Sequence, residues 1–332
     1  MSLTLLADIG GSKSRFALAN SAGRPERILV IDNDAVAGIA GAVTRYLDET
    51  GARPEAATMA IAGPVDGEEV ALTNRAGWRF RRAELARRFG FSQLSVLNDF
   101  EAIAWALPRL DGADTLPLGS FSRGRGSGEQ RNGVKLVLGP GTGLGVAALV
   151  PAGHRWHVLA SEGGHAAFGP AAADEVEPFA RMRERCGAVS AECVLSGPGL
   201  VRLAHALQPS GGRSFGRSPR GQSRASPEAI VSAALAGEPA AAAAALLFVR
   251  LLGRFAGSLA LTFKALSGVY IAGGVASGLE TLLDRPAFRE AFEAHPPHQA
   301  LLATIPTVLV TCPEPGLLGC AVAAEHLAAG PA

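Results

Sequence analysis

The chain has 332 residues, about twice the size of a usual single-core domain, which favours two domains. Hydrophobic residues make up 48% and charged residues 18%, a mixture that excludes disorder of the whole chain. The 31 Lys and Arg residues almost balance the 30 Asp and Glu residues, and a net charge of +1 disfavours nucleic-acid or anionic-membrane binding. A small charged ligand remains possible.

Four cysteines without a CxxC pair are too few to cross-link this chain, which predicts a reducing, cytoplasmic compartment. The N-terminal apolar stretch has no basic segment before it, so we expect no signal peptide. The longest apolar run, residues 240–249, ends at Arg250 and is shorter than the roughly 18 to 20 residues that cross a bilayer. It predicts a buried helix.

In chain order, the first elements are a predicted strand over residues 3–8, a turn at Gly10-Gly11 and a second strand over residues 15–19. Residues 134–150, VKLVLGPGTGLGVAALV, have the same pattern of apolar run, glycine turn and apolar run. The chain therefore predicts two halves that each begin with a hairpin, related by duplication or by convergence on a tight turn.

Between the hairpins, apolar runs at residues 58–62 and 94–97 predict parallel strands, and residues 100–107 predict a helix. Further along, residues 227–266 predict two helices and residues 268–274 another buried strand. Strands that alternate with helices indicate an α/β fold.

Two polar, glycine-rich segments, residues 119–133 and 210–226, predict exposed loops. The second is rich in arginine, and a nucleic-acid arm is the alternative there. Because aromatic residues do not alternate with its arginines, a surface insertion is favoured.

The first turn combines the acid Asp8, the glycines Gly10 and Gly11, the hydroxyl of Ser12 and the cation of Lys13. These groups suit a phosphate and its Mg²⁺, because glycine leaves backbone amides open to an anion. An ordinary hairpin turn is the equally supported alternative. The pattern matches neither the P-loop nor the dinucleotide fingerprint.

The second turn has glycines at alternate positions, Gly139, Gly141 and Gly143. It loosely resembles a dinucleotide-binding loop, but residues 146–150 are β-branched and predict a strand where that loop requires a helix. A second phosphate-binding hairpin, with Thr142 as the hydroxyl donor, fits better.

Asn98 and Asp99 follow a predicted strand, at the edge where open α/β sheets bind ligands, although a turn or helix N-cap is the commoner role for such a pair. Glu162 and His165 flank two glycines and can bind a polyol by several hydrogen bonds; the other histidines complete no recognisable metal site with them. Glu192, taken alone, predicts a surface acid or a helix cap.

The order of these segments is more specific than any one of them. DIGGSKSRFAL, AIAGPVDG, LTNRAGW, LNDF, LGPGTGLGV, SEGGH, VLSGPGL, YIAGGV and PEPGLLG follow one another from residue 8 to residue 319. In this order the chain resembles the bacterial glucokinase family, within the sugar kinase, Hsp70 and actin superfamily, over nearly its whole length.

The resemblance implies an α/β fold of two actin-like (ribonuclease H-like) domains around a central cleft. Because ATP would otherwise lose its phosphate to water, we expect the cleft to close when glucose binds. The small domain would comprise residues 1–109 and 313–332, and the large domain residues 110–312. The family also implies a cytoplasmic homodimer formed through the large domain.

The resemblance also implies a role for each motif residue. Asp8 would position Mg²⁺, and Asp99 would be the base for the 6-hydroxyl of the sugar. The sugar would be bound by Asn98, Asp99, Glu162, His165 and Glu192. The residues around ATP would be Asp8, Gly10, Gly11, Ser12, Lys13, Gly141, Thr142, Gly143, Gly273 and Gly274.

The implied activity is ATP-dependent phosphorylation of glucose at its 6-hydroxyl, without nucleic-acid or membrane partners. Alternatives are a kinase for another hexose such as glucosamine or mannose, a polyphosphate-using enzyme, and a non-catalytic sugar sensor. Ser12-Lys13 stands where many relatives have Thr-Asn, and Lys13 either faces solvent or reaches a phosphate. The cysteine-rich zinc motif and the helix-turn-helix of related repressors are missing, which disfavours a repressor.

Overall fold

The protein is described by a computed structural model at residues 3–73, 75, 77–119, 132–208 and 226–328. Most of the predicted loop at 119–133, and all of the segment 210–226 except Ser226, lie outside the described residues. The chain divides into two compact units. One comprises Met1–Asp111 and Cys312–Ala332, and the other comprises Gly112–Thr311.

The first unit contains a five-stranded sheet in the order β3-β2-β1-β4-β7 and a small two-stranded sheet of β5 and β6. Its strands are β1 (Thr4–Ile9), β2 (Lys13–Ala19), β3 (Pro25–Asp32), β4 (Ala56–Ile61), β5 (Glu69–Ala71), β6 (Arg79–Arg81) and β7 (Gln93–Asn98). Its helices are α1 (Gly38–Thr50), α2 (Arg82–Phe89), α3 (Asp99–Ala106) and the C-terminal α13 (Pro315–Ala328). The predicted first hairpin, the strands near 58–62 and 94–97 and the helix near 100–107 are confirmed.

Strand β1 is almost entirely apolar because both faces of its sheet are covered. Leu5 and Ile9 point into a core that includes Tyr46 of α1, and side chains alternate between faces along a strand. The opposite face, which carries Leu6 and Asp8, meets α13. Burial on two sides removes the polar alternation that a half-exposed strand shows.

Helix α13 returns the chain to the first unit and packs against α3 with very close backbones. A Cβ atom at Gly319 would lie 1.6 Å from the carbonyl oxygen of Ala102. Only glycine allows this approach, and α13 is thereby held beneath the end of β1 that carries Asp8.

The second unit contains a six-stranded sheet in the order β11-β10-β9-β12-β13-β8. Its strands are β8 (Thr115–Pro117), β9 (Lys135–Pro140), β10 (Leu144–Ala152), β11 (Arg155–Ser161), β12 (Val269–Ile271) and β13 (Thr307–Val310). Its helices are α4 (Ala173–Cys186), α5 (Ala191–Val194), α6 (Gly197–Ala206), α7 (Pro227–Leu235), α8 (Pro239–Thr262), α9 (Gly274–Gly278), α10 (Glu280–Leu283), α11 (Pro286–Glu293) and α12 (Gln299–Leu302). The predicted second hairpin and the two helices within 227–266 are confirmed.

The two sheets share one topology. In each, an antiparallel meander of three strands is followed by two strands that add in parallel to its first strand. Five strands in the same order are more than a shared tight turn requires, so the structure favours duplication of the halves. The predicted α/β fold is confirmed.

Helix α8 is, within the described part of the chain, long and apolar enough by composition to cross a membrane, but 72% of its most apolar window is buried inside the protein. It packs closely on α11: Cβ atoms at Gly253 and Gly257 would lie 2.2 Å and 2.3 Å from the carbonyl oxygens of Phe288 and Phe292. The interpretation of the apolar run as a buried helix is confirmed.

Candidate active site

Three parallel strands of the first unit end at one edge of its sheet, and two acids lie there. Asp8 is near the end of β1, and Asp99 begins α3 directly after β7. The negative charge of Asp99 acts on Asp8 and favours the protonated form of its carboxyl. The sheet therefore brings together two predicted residues that are separated by most of the first unit's sequence.

The carboxyl group of Asp8 lies where a negative charge is costly. Burial raises its pKa to about 6, the charge of Arg15 opposes this shift, and the charges of Asp99 and Glu314 add to it. Arg15 pairs across the hairpin with Asp8 and binds Glu314 through Nε at 2.7 Å from Oε2. A Cβ atom at Gly316 would lie 2.8 Å from the Oδ2 atom of Asp8, which accounts for glycine in the PEPGLLG segment.

The turn of the first hairpin is supported from within the protein. The buried side chain of Asn33 donates through Nδ2 to the Gly10 carbonyl (2.8 Å) and accepts from the hydroxyl of Ser14 (2.6 Å). The amide of Asn33 also donates to the Ser12 carbonyl (3.0 Å). Gly11, Ser12 and Lys13 themselves are exposed. The turn is thus fixed on its inner side and open to a ligand on its outer side.

Asn98 is the N-cap of α3, so the helix-cap interpretation is confirmed for this residue. Its Oδ1 accepts from the Phe100 amide (2.9 Å), its own amide donates to Glu101 (3.2 Å), and its Nδ2 donates to the Gly63 carbonyl (3.3 Å). The cap fixes Asp99 in the first turn of the helix, where Asp99 also accepts from the Phe100 amide (2.9 Å).

The second hairpin is closed by a short turn and tied to the helices beside it. The amide of Gly141 donates to the Gly143 carbonyl, and the amide of Gly197 donates to the Gly141 carbonyl, both at 2.8 Å. Thr142 at the tip is exposed. Like the first turn, this one has a braced inner side and an open outer side.

Glu192 differs from the surface acid or helix cap that its local sequence predicts. Ser190 caps α5, while Glu192 is half-buried and its Oε2 accepts from the Leu144 amide at 2.9 Å. A Cβ atom at Gly143 would lie 2.5 Å from the same oxygen. Glu192 therefore supports the second hairpin, a role that depends on residues almost fifty positions away and has no local signal.

Glu162 and His165 lie beside the same hairpin. They flank a single 3₁₀ turn, with Glu162 Oε2 at 3.7 Å from His165 Nε2, and both side chains are exposed. A Cβ atom at Gly164 would lie 2.1 Å from the Leu144 carbonyl oxygen, so the turn packs directly on the start of β10. The structure thus brings Glu162, His165 and Glu192 around one strand end.

Gly273 and Gly274 also adjoin this hairpin. Gly273 has φ of +94°, and a Cβ atom there would lie 2.6 Å from the Pro140 carbonyl oxygen, so only glycine fits between β12 and α9. A Cβ atom at Gly274 would meet no atom within 4 Å. Gly274 is exposed, so the backbone there is open to a ligand.

Over residues 3–73, 75, 77–119, 132–208 and 226–328, no group of three or more His, Cys, Asp or Glu side chains is arranged to hold a metal ion. Magnesium in phosphoryl-transfer sites is commonly held by one or two carboxylates together with the phosphates of the substrate. The half-buried Asp8 carboxylate fits that kind of site.

Comparison of the sequence with known proteins identifies relatives over nearly the whole chain. A sequence profile described as Glucokinase matches residues 5–327. The chain is 39% identical to the glucokinase of Agrobacterium fabrum over 97% of its own length and 91% of that protein. It is 41% identical to the bifunctional protein glk of Paraburkholderia xenovorans over 97% of its own length, but it spans only 49% of that relative.

Among solved structures, a glucokinase from an Antarctic psychrotroph has a TM-score of 0.84 and 31% identity, with 98% of this chain and 99% of that chain covered. The glucokinase of Balamuthia mandrillaris, solved in complex with glucose, has a TM-score of 0.76 and 25% identity over 97% of this chain and 93% of that chain. The two-unit α/β architecture is the actin-like sugar kinase fold of these neighbours. The chain belongs to the glucokinase family.

Proposed function

We propose that the protein transfers the terminal phosphoryl group of ATP to the 6-hydroxyl of glucose, giving glucose 6-phosphate and ADP. The observation that carries the proposal is the pair of acids, Asp8 and Asp99, at one sheet edge beside an open glycine hairpin in a chain of this family. The solved structure of the Balamuthia mandrillaris glucokinase contains glucose, which supports the choice of sugar.

The base in this proposal is Asp99. Phosphoryl transfer requires little covalent help from a protein; it requires positioned phosphates, an aimed hydroxyl and an acceptor for the hydroxyl proton. Asp99 is fixed at the start of α3, so its carboxylate would be positioned to accept the proton of the 6-hydroxyl as the hydroxyl oxygen attacks phosphorus. Asn98, next to it, would bind the same end of the sugar.

The remaining sugar contacts would come from the second unit. Glu162, His165 and Glu192 surround the start of β10. Carboxylates accept hydrogen bonds from ring hydroxyls, and a neutral imidazole can both accept and donate them. Nothing in this set of acceptors determines the substituent at the 2-position of the ring. Glucosamine and mannose therefore remain alternative substrates.

The nucleotide would be held mainly by backbone amides. In the first unit Gly10, Gly11, Ser12 and Lys13 would bind phosphate oxygens, with Lys13 as the cation of the turn. In the second unit the proposed contacts are Gly141, Thr142 and Gly143 for phosphates and Gly273 and Gly274 for the adenosine.

Asp8 would hold Mg²⁺ in this proposal. When bound, the ion would neutralise charge on the phosphate oxygens and help to align them for transfer. The chain's own contribution is to place the Asp8 carboxyl where the positive charge of Arg15 and the negative charges of Asp99 and Glu314 act on it. A divalent cation would relieve the cost of charge at this position.

Two further properties belong to the proposal. We place the protein in the cytoplasm, where ATP and reducing conditions are available, and we expect a homodimer. Neither a membrane nor a nucleic acid is needed as a partner.

Replacing Gly143 by alanine is expected to weaken glucose binding more than it weakens folding. The new Cβ atom would push on the carboxylate of Glu192, the far end of a flexible side chain, so the loss of stability should be about 1 kcal/mol or less while the KM for glucose rises roughly tenfold. Gly169→Ala is the control, because Gly169 is a glycine of the same unit outside the proposed binding residues, and its Cβ atom would meet no protein atom within 4 Å. Equal glucose KM values for the two variants would contradict the role given to Glu192.

The proposed function is tested by a coupled assay of ADP and sugar-phosphate formation across hexoses and phosphoryl donors. We expect the highest kcat/KM with glucose and Mg·ATP. A higher kcat/KM with glucosamine or mannose would make that hexose the substrate in place of glucose. A higher kcat/KM with polyphosphate would make polyphosphate the donor in place of ATP. If the protein bound glucose but showed no turnover with any donor, the result would contradict a kinase and support a non-catalytic sugar sensor.

A further inference from the structure

A pocket of about 710 Å³ lies in the second unit, outside the residues assigned to the sugar and the nucleotide. This volume is within the range of pockets that hold small molecules in proteins. Its walls are Phe168 and Pro170, one face of α4, and residues 187–189, which lead to α5. The proposed kinase reaction gives this pocket no role.

The face of α4 that lines the pocket is apolar except toward its C-terminal end. Four lining residues have the three- and four-residue spacing of one helix face: Val176, Phe179, Ala180 and Arg183. Phe179 is buried, but Val176 is 56% exposed although it lies in the apolar lining. In the described part of the chain, this apolar surface is open to a ligand.

A second wall is held in place by the contacts of Phe168. The guanidinium carbon of Arg254 lies 4.5 Å from the centre of the Phe168 ring. The same ring packs on Phe179, with 5.9 Å between ring centres, and edge-on against Phe255, with 5.6 Å between ring centres. Because this wall is formed before a ligand arrives, binding there costs little conformational entropy.

Arg183 is the one charged residue among the described residues that line the pocket. Three other arginines form ion pairs with acids of α4: Arg181 with Glu177, Arg250 with Asp174, and Arg254 with Glu175. Over the described residues, no acid is paired with the guanidinium of Arg183. A guanidinium forms two parallel hydrogen bonds to a carboxylate and balances its single charge, whereas a phosphate monoester has about two negative charges. The pocket therefore favours a carboxylate.

The two loop segments that border the pocket are paired with each other. Residues 166–168 and 189–191 run antiparallel, with backbone hydrogen bonds of 3.0 Å and 2.9 Å between them. At the end of this pairing that is away from the pocket, the first segment continues to His165 and the second to Glu192, both of which belong to the proposed sugar site. Contacts in the pocket are thus linked through the backbone to the sugar residues.

We propose that the pocket binds small carboxylates that have an aromatic or branched aliphatic body, and that such a ligand raises the affinity of the protein for glucose. The apolar body would contact Phe168, Phe179 and Val176, and the carboxylate would pair with Arg183. The effect on glucose rests on the proposed function, whereas binding of the carboxylate does not. A ligand that contacts both paired segments stabilises their pairing, so less ordering remains when glucose binds.

The first test titrates the full chain with 3-phenylpropionate and, separately, with the uncharged amide of the same acid, by ligand-detected NMR. We expect a Kd of about 1 mM or below for the carboxylate and a Kd about tenfold higher for the amide, because the amide has no charge to pair with Arg183. Equal affinities, or no binding of the carboxylate, would overturn the proposal.

Two variants locate the bound carboxylate. Arg183→Gln should weaken the binding of 3-phenylpropionate about tenfold, and Ala180→Trp, which fills the pocket from α4, should abolish it. Arg185→Gln is the matched control, because Arg185 is an exposed arginine of α4 that is not among the described residues lining the pocket. Thermal unfolding shows that each variant is folded. Binding that is unchanged in Arg183→Gln, or weakened equally in Arg185→Gln, would overturn the proposal.

A second copy of the chain is the other occupant to test for this apolar surface. We expect light scattering to give the same mass for the unaltered protein and for Ala180→Trp, because the pocket is left to a small ligand. A smaller mass for Ala180→Trp would make the surface a subunit interface and would overturn the proposal.

The last test measures the Kd for glucose by calorimetry with and without saturating 3-phenylpropionate. We expect the Kd for glucose to fall about threefold, and saturating glucose to lower the Kd for the carboxylate by the same factor, because coupling between two sites is reciprocal. An unchanged or higher Kd for glucose would overturn the coupling. A protein that binds the carboxylate but no glucose would instead refute the proposed function, and the carboxylate site would stand.

Discussion

Replacing Asp99 by asparagine is expected to lower kcat for glucose phosphorylation by about three orders of magnitude, while the Kd for glucose changes by about twofold or less. The asparagine carbonyl can still accept the Phe100 amide that Asp99 accepts now, so the start of α3 should keep its geometry. What is lost is the acceptor for the proton of the 6-hydroxyl. Initial rates with Mg·ATP and a glucose titration by calorimetry measure the two quantities.

Asp48→Asn is the matched control, because Asp48 is an exposed acid on α1 of the same unit. It should leave both quantities unchanged. If the Asp99→Asn variant unfolds at a temperature close to that of the unaltered protein, the variant is folded. If Asp99→Asn retained full activity, the base would have to be another residue.

Replacing Asp8 by asparagine is expected to stabilise the protein at pH 8 and to remove most of its activity. Burial raises the pKa of Asp8 to about 6, so the folded chain favours the protonated carboxyl more than the unfolded chain does. The stability from this group is present below about pH 4 and is lost as the pH rises through about 6. Asparagine resembles the protonated form at every pH, so it removes the cost of ionisation.

The expected gain at pH 8 is about 1 to 3 kcal/mol in the free energy of unfolding, with a flatter pH dependence between about pH 4 and 6. Urea unfolding of the protein without nucleotide and without magnesium, at a series of pH values, measures it. In the same variant kcat should fall by about two orders of magnitude, because a carboxylate that favours the cation is gone. A variant less stable than the unaltered protein at pH 8 would contradict the environment assigned to Asp8, with Asp48→Asn again as control.

The sequence predicts those parts of the fold that have a local cause. The two glycine hairpins, the parallel strands and the cap at Asn98 follow from apolar runs and from residues next to them in the chain. The position of Asp8 and Asp99 at one edge follows from the parallel pairing of β1, β4 and β7. The apolar runs predict parallel strands at β4 and β7, but they do not predict that β1 pairs with β4.

The supports of the site could not be predicted in this way. Asn33 braces the first turn although it follows β3 and carries no motif, and Glu314 pairs with Arg15 although nearly the whole chain lies between them. Glu192 illustrates the same limit, because its partner is a backbone amide of a distant strand. Such contacts depend on the register of packed elements, which a single sequence does not display.

Phosphorus NMR of the protein with glucose, ATP and Mg²⁺ tests the central claim most directly, because it identifies both products. We predict that the ATP signals are replaced by ADP and by a phosphate monoester on the 6-carbon of glucose in equal amounts. ATP that stays intact in the presence of bound glucose, or that yields inorganic phosphate without a sugar phosphate, would contradict the account.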